Sequence, residues 1–411
     1  MSAYGNLLNP SRRERIPLGA KADRQYHSIT HNPSTINSGE TLYVRIPKLR
    51  RDVVIVPGTL KLNFDLNKKG HANNHFVNNV GRALQAHVVD KLGGEILSDQ
   101  NNYFIYQTYR DLWLSEKQRK NLVLQGVGTS NLRKMRSGAG DADKGELGDN
   151  ALKKACGVKH VIPLDFEIYS DHGPFYPYVI AEDFIREITF NDVKYVVNAS
   201  DAKDIDYTVT NIAIEYETIN SPEIARQVDV DYKNGITFLY DYVTYFKTQK
   251  ITEKTFNINV NIPRRSMKGV LVFFEKAFAA GAFNSEATPF QNPGITDVQV
   301  TIEGLSNRVY AQGFKAHQQW DEACRRFMPK NVESNMDMES FYGDDKFALW
   351  LDLRSTEDNK LHGSGLKLVN TNDGVQLAIT RTTATEYTMH VFVVADAQVS
   401  IENNQLRDIM F

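Results

Sequence analysis

The chain has 411 residues, of which 41% are hydrophobic and 24% charged, and its formal net charge is −2. That length suits two globular domains better than one core, and the near-neutral balance excludes a protein whose main work is neutralising nucleic-acid phosphate. No apolar run reaches the roughly 20 residues of a bilayer span, residues 1–5 open no secretory leader, and Cys156 and Cys324 form neither a metal knuckle nor a disulfide framework.

Taken in order, residues 1–40 read as a polar arm: Arg12, Arg13, Glu14, Arg15 and Pro33 interrupt any periodic apolar face, so a neighbour must order this segment or it moves. Strands begin at 42–46. Residues 60–66 then alternate apolar and polar side chains without an error, as a half-buried strand with one wet face does. Residues 84–97 read as a hairpin turned at Gly93-Gly94. A helix follows, with Phe104, Tyr109, Leu112 and Trp113 at helical spacing, a Ser115/Gln118 capping box opening a second turn, and Gly126 just past its end.

Residues 125–159 lose periodicity and collect Gly, Asp and Lys, which predicts a long surface insertion. Strands return at 161–166, 184–190 and 212–217. A boundary at Asn220-Ser221-Pro222 leads into a short helix over 223–228. Further strands are predicted at 240–246, 256–262, 270–274, 347–353, 375–379 and 389–401, the second of these placing three asparagines on one face.

A version of the hairpin and helix returns in the second half. Residues 298–302 turn at Glu303-Gly304, resume over 305–310 and lead into a helix around Trp320. Gly94 with Gly304, Trp113 with Trp320, and Ile46-Pro47 with Ile262-Pro263 each lie about 210 residues apart, in one order. Tandem duplication is the simplest source. The predicted fold is all-β: two tandem jelly-roll β-sandwiches, each with a short helical insertion, divided as an arm (1–40), a first roll (41–222) and a second roll (223–411).

The chemistry-bearing residues assemble into nothing that compels a reaction. His27 with His31, and His71 with His75, have the spacing that grips zinc on a helix. Both stretches are instead expected as loops, without the glutamate a zinc hydrolase uses. Asp141, Asp143, Glu146 and Asp149 offer oxygen ligands in an order that fails the calcium-loop pattern. His390 stands alone in the late strands, too few ligands for a metal-binding barrel. Nucleophile-elbow, dinucleotide and phosphate-loop motifs do not occur, and the sequon at Asn198 reads as a turn. No catalytic, cofactor or metal residue is therefore expected. Two basic turns, Lys48/Arg50/Arg51 and Arg264/Arg265/Lys268, occupy matching places and read as solvated strand ends or contacts with another subunit or an anionic surface. The aromatics of 103–113 and Trp320 are expected to pack each helix on its own sheet rather than bind sugar.

Several stretches resemble a known family: residues 42–49 running to Val56-Pro57-Gly58-Thr59, the Leu92-to-Leu97 turn, residues 109–116, and the run from Phe246-Lys247 to Ile262-Pro263. Together they are similar to the hexon-like double jelly-roll major capsid proteins of Polinton/Maverick elements, adintovirus-type viruses and virophages, over about residues 40–411. The resemblance implies a structural protein, not an enzyme. It implies a homotrimer whose six rolls make a pseudo-hexagonal capsomer of an icosahedral virion, assembled inside the host cell. Its implied partners are neighbouring capsomers, penton and minor capsid proteins and an internal membrane, with no sequence-specific nucleic acid. It also implies that residues 1–40 face the interior or a neighbour, and that 125–159 and 277–293 form towers or inter-subunit loops. A tandem β-sandwich glycan-binding module is the alternative from the residues alone, and a jelly-roll enzyme with a deep pocket the third.

Overall fold

A computed structural model describes residues 23–50, 52–69, 75–77, 79–127, 159–164, 175–198, 205–276, 290–302, 305–306, 310, 312–328, 333–343, 345–356, 363–369 and 374–411. The first half lays down β1 (Asp23–Thr30), β2 (Thr35–Asn37), β3 (Thr41–Arg45), β4 (Val53–Ile55), β5 (Lys61–Lys69) and β6 (His75–Phe76), then α1 (Val80–Ala83). The predicted hairpin is β7 (Gln85–Leu92) and β8 (Glu95–Asn101), joined by Gly93 and Gly94 at φ of 60° and 95°. A two-residue turn with both φ positive matches the twist of its strands, and glycine adopts it without a Cβ clash.

After the hairpin come α2 (Tyr103–Leu112) and α3 (Glu116–Asn121), the latter opened by the expected Ser115/Gln118 box. Gly126, at φ 71°, closes the turn that follows. β9 (Lys159–Pro163), β10 (Phe184–Phe190), α4 (Val193–Val196), β11 (Val197–Asn198) and β12 (Asp206–Asn220) complete this half.

Helix α5 (Pro222–Asn234) starts at a proline, where no intrahelical N–H is lost, and buries Ile224, Ala225, Val228 and Tyr232. The second half is β13 (Ile236–Lys247), β14 (Thr255–Val260), β15 (Arg264–Lys276), β16 (Ile295–Ile302), β17 (Leu305–Ser306), α6 (Ala316–Phe327), α7 (Met338–Gly343), β18 (Leu349–Asp352), β19 (Leu366–Leu368), β20 (Val375–Arg381), β21 (Tyr387–Glu402) and β22 (Gln405–Met410).

Pairing makes the duplication explicit. In the first half one sheet runs β1-β12-β5-β9, with β2 and β4 also on β12, and the other runs β3-β10-β7-β8. In the second half the orders are β13-β21-β15-β18, with β19 and β22 at its sides, and β14-β20-β16-β17. Replacing each strand by its successor in the later half converts one pattern into the other. These are two antiparallel jelly rolls, as expected, and Ile46-Pro47 and Ile262-Pro263 both follow the first strand of the smaller sheet, β3 or β14.

Two features depart from expectation. β1 and β2 lie inside the stretch read as an arm, yet β1 pairs with β12 from Asp23 opposite Asn220 to Thr30 opposite Ala213, and β2 pairs with β12 over Thr35–Asn37. Almost every side chain of β1 is exposed, so main-chain hydrogen bonds order it rather than apolar burial, and periodicity carries no sign of that. Helix α2 also packs on the other roll. Tyr103, Phe104, Ile105, Tyr106, Tyr109 and Trp113 join the core of the second roll, while Phe238, Tyr240, Ala397, Val399 and Ile401 of the second roll join the core of the first. Most of the insertions expected at 125–159 and 277–293 lie outside the described residues.

Candidate functional site

The joint between the rolls is the most elaborate arrangement in the molecule, and helix α2 builds it. Tyr106 packs against Phe392 of β21 with ring centroids 6.0 Å apart, and Tyr109 meets Phe273 of β15 edge-on at 5.0 Å. Trp113 stacks on Trp320 of α6 at 5.6 Å and lies 6.1 Å from Phe327. Its carbonyl accepts a hydrogen bond from Ser334 Oγ at 2.7 Å. Aromatic rings give much apolar area and directional edge contacts, so this helix fixes the second roll against the first. On the far side of the joint Tyr240 Oη donates to Leu97 O of β8 at 2.6 Å, and Phe238 meets Phe175 edge-on at 5.2 Å.

Beside these rings lies a buried ionic network. Asp241 of β13 and Asp396 of β21 are directly opposite across the strand pair, an arrangement that repels unless a cation intervenes. Lys268 of β15, 1% exposed, supplies it, with Nζ 2.6 Å from Asp241 and 2.7 Å from Asp396. Arg326 of α6 binds the other Asp241 oxygen at 3.1 Å while its guanidinium lies 5.4 Å from the Trp350 ring. Burial pushes the Asp241 carboxyl up, but Arg326 and Lys268 outweigh it and hold the group below the usual carboxylate range. The network clamps α6 to the sheet, much as α2 does with rings.

The residues singled out from sequence are held by structural contacts. His27 lies on β1, stacks on Tyr216 at 4.9 Å and shares a 2.8 Å hydrogen bond with Thr218 Oγ1. His31 has Nδ1 3.1 Å from Pro33 O and Nε2 2.8 Å from Tyr43 O, and a neutral imidazole donates to one of these two carbonyls. His390 sits between Tyr245 Oη at 2.9 Å and Glu275 at 3.0 Å. Burial pushes the Cys324 thiol up to about 11, which keeps it protonated at neutral pH. Among the described residues no group of three or more His, Cys, Asp or Glu is placed to hold a metal ion. The side chains of His71 and His75, the acidic run Asp141–Asp149, and Cys156 lie outside the described residues.

The two basic turns share a place but not an environment. Lys48 donates to the carbonyls of Ile180 and Glu182, and Arg50 is exposed. Arg264 stacks over Tyr242 at 5.2 Å and donates to Thr244 Oγ1 at 2.7 Å. Arg265 donates to Met410 Sδ at 2.9 Å, and Lys268 is wholly inside. Lys48, Arg50 and Arg265 are exposed, as at a solvated strand end, whereas Lys268 is buried; Arg51 lies outside the described residues. Sequence reasoning passed over Asp241 and Asp396, whose only signal is an acidic residue in the middle of a strongly apolar strand.

Two sheet edges of the first roll carry exposed apolar side chains. β1 bounds the larger sheet of the first roll and β3 the smaller, and Tyr26, Ile29 and Tyr43 are exposed there. None of the described helices is long and apolar enough to cross a membrane.

No protein-family model matches this chain, and no curated protein sequence does. Solved structures match it nearly end to end. A chain of the PBCV-1 virus capsid aligns with TM-score 0.62 at 11% identity, over 96% of this chain and 98% of that one. A chain of the Sputnik virophage gives 0.62 at 12% identity, over 96% and 90%. The mavirus major capsid protein gives 0.54 at 12% identity, over 97% and 93%. At such identities the likeness is one of fold, and it covers both rolls in their order.

Proposed function

We propose that this chain is the major capsid protein of an icosahedral virus, resident in the virion after assembly inside the host cell. Three copies make a capsomer of six rolls, and capsomers tile the shell; its role is structural rather than catalytic. The observation that carries this reading is the strand-for-strand repetition of one roll within a rigidly jointed chain. Two like units locked at a fixed angle let three chains present six similar sides, which is how a threefold assembly occupies a sixfold place. The nearly full-length fold likeness to the PBCV-1 capsid and mavirus chains supports it.

Its main partners are then further copies of itself and neighbouring capsomers, with penton and minor capsid proteins at special positions and an internal membrane beneath. Of the aromatics weighed as a sugar platform, Trp113 is fully buried and Trp320 is stacked on it, which disfavours a glycan-binding tandem sandwich. Electron microscopy of the purified, expressed chain tests the proposal. Capsomers of hexagonal outline and closed shells are the expected result. A monomer that never assembles, or one that binds sugars at micromolar concentration, would overturn it.

A further inference from the structure

We propose that Lys268 and Asp396 join covalently: the Lys268 amine attacks the Asp396 side-chain carboxyl with loss of one water, and the resulting amide ties β15 to β21. Asp241 is the base of this single intramolecular turnover. The proposal does not depend on the capsid reading and concerns how the second roll is locked.

The sequence sets an amine where apolar side chains are the rule. Lys268 lies in the unbroken buried run from Ser266 to Phe274, and the register of β15 with β21 shifts between Met267 and Gly269, so Lys268 is the extra residue of a bulge. A bulge re-aims the side chain it carries. Here the amine points inward between two carboxylates, with Nζ 2.6 Å from Asp241 Oδ1 and 2.7 Å from Asp396 Oδ1, and the residue is 1% exposed. Gly269, next along β15, lies so close to the Trp350 ring that a Cβ there would come within 2.4 Å of it. The indole leaves no room for water on that side.

The two carboxylates are not equivalent. Asp241 has its second oxygen on Arg326 at 3.1 Å, and against burial Arg326 and Lys268 hold it ionised. It can take a proton from the amine. Asp396 turns its second oxygen, Oδ2, to the Ser266 hydroxyl and to Gly363 N, the latter donating at 2.8 Å. Gly365 N donates to Ser266 Oγ at 3.0 Å and so aims the hydroxyl proton at Asp396, while Gly363 offers its N–H from a left-handed backbone, φ 81°. Two neutral donors on one carboxyl oxygen are the arrangement that stabilises the oxyanion of an acyl transfer.

Protons and bonds balance. The Lys268 ammonium passes one proton to Asp396 Oδ1, which sets an amine against a carboxylic acid. Nζ then bonds to Cγ, the negative charge moves to Oδ2 between Ser266 and Gly363, and Asp241 takes a proton from the nitrogen. Asp241 returns it as the bond from Cγ to Oδ1 breaks, and water leaves. An ammonium and a carboxylate have become an amide and water, a change that needs neither oxidant nor cofactor. Strand pairing holds the reactants in contact, and a dry site favours the dehydrated product.

The test uses the full chain. Intact-mass spectrometry of the denatured protein should read one water below the mass of the sequence, and proteolysis should release a branched peptide joining residues 268 and 396. Lys268→Arg, which keeps the cation, should show the full mass. Asp241→Asn keeps both partners and removes the base, so in a time course after cell-free synthesis its loss of water should be slower by about 100-fold. Should a variant misfold, the parent's mass and its branched peptide decide alone. A parent that retains its full mass after prolonged incubation at neutral pH overturns the proposal and leaves the capsid reading standing. Water lost elsewhere in the chain, or a link from Lys268 to Asp241, overturns it as well, and an Asp241→Asn chain that reacts at the parent's rate overturns the role given to Asp241.

Discussion

Strands β5 and β15 hold the same position in the two rolls, yet their burial differs completely. β5 is buried at every second residue, with Leu62, Phe64 and Leu66 inside and Asn63, Asp65 and Asn67 facing out. β15 is buried without interruption from Ser266 to Phe274. The topology is shared, so the difference comes from what lies on the outer face. Water and a polar ladder, including Asn63 to Glu215 at 2.9 Å and Lys159 to Asp65 at 2.9 Å, cover the first sheet. Rings from α2 and the clamp from α6 cover the second. Alternation therefore reports how many faces are dry, and the strand order reports the fold; a duplicated unit keeps the second while the first drifts.

That contrast can be broken most severely at the joint. Trp113→Ala removes the ring that α2 lodges among Trp320, Phe327 and Phe341. A loss of about 4 kcal/mol is expected from the cavity and lost apolar burial. Urea unfolding monitored by tryptophan fluorescence measures it, and hydrogen exchange should show β15 and β21 losing protection before β5. If β5 loosens equally, the helix serves both rolls alike.

Lys268→Ala is next, at about 3 kcal/mol, because it leaves Asp241 and Asp396 facing each other without their shared cation. Lys61→Ala is its wet-face control: Lys61 reaches Glu215 at 3.4 Å on the first roll's exposed face, and about 0.5 kcal/mol is expected there. Thermal unfolding of the pair sharpens the comparison directly. The same network sets an acid limit. The folded value of Asp241 lies below its ordinary one, so its contribution is fully present above the unfolded value of about 4 and is lost as pH falls through the folded value. Melting temperature should decline as pH falls below about 4, and the slope should flatten in Asp241→Asn. An unchanged slope would mean that other carboxylates dominate.

A further small effect lies outside the contrast. Ser115→Ala removes the hydroxyl that accepts from Gln118 N at 3.2 Å, and a loss of about 1 kcal/mol is expected, measurable by denaturant midpoint. A loss as large as that of Trp113→Ala would show that α3, not α2, carries the joint.

The sequence makes the repeated unit legible because turns and caps are local. Gly93-Gly94, the Ser115/Gln118 box and the alternation of 60–66 each act within a few residues, and each appears where it is expected. The joint is not legible in the same way. Helical spacing of Tyr109 and Trp113 says that one face of α2 is dry, and nothing in it says whose sheet supplies the cover. Strand β1 is hidden for the opposite reason: its order comes from backbone pairing with a strand nearly two hundred residues away. Lys268 misleads because a basic residue after Ile262-Pro263 looks like surface until the opposed carboxylates of Asp241 and Asp396 are brought beside it by pairing.

The central claim, that this is a two-roll tile built to meet its own copies, is tested most directly by the mass of the purified chain in solution. Light scattering at micromolar concentration should give three times the 46.6 kDa of one chain. A steady 46.6 kDa at every concentration would contradict it.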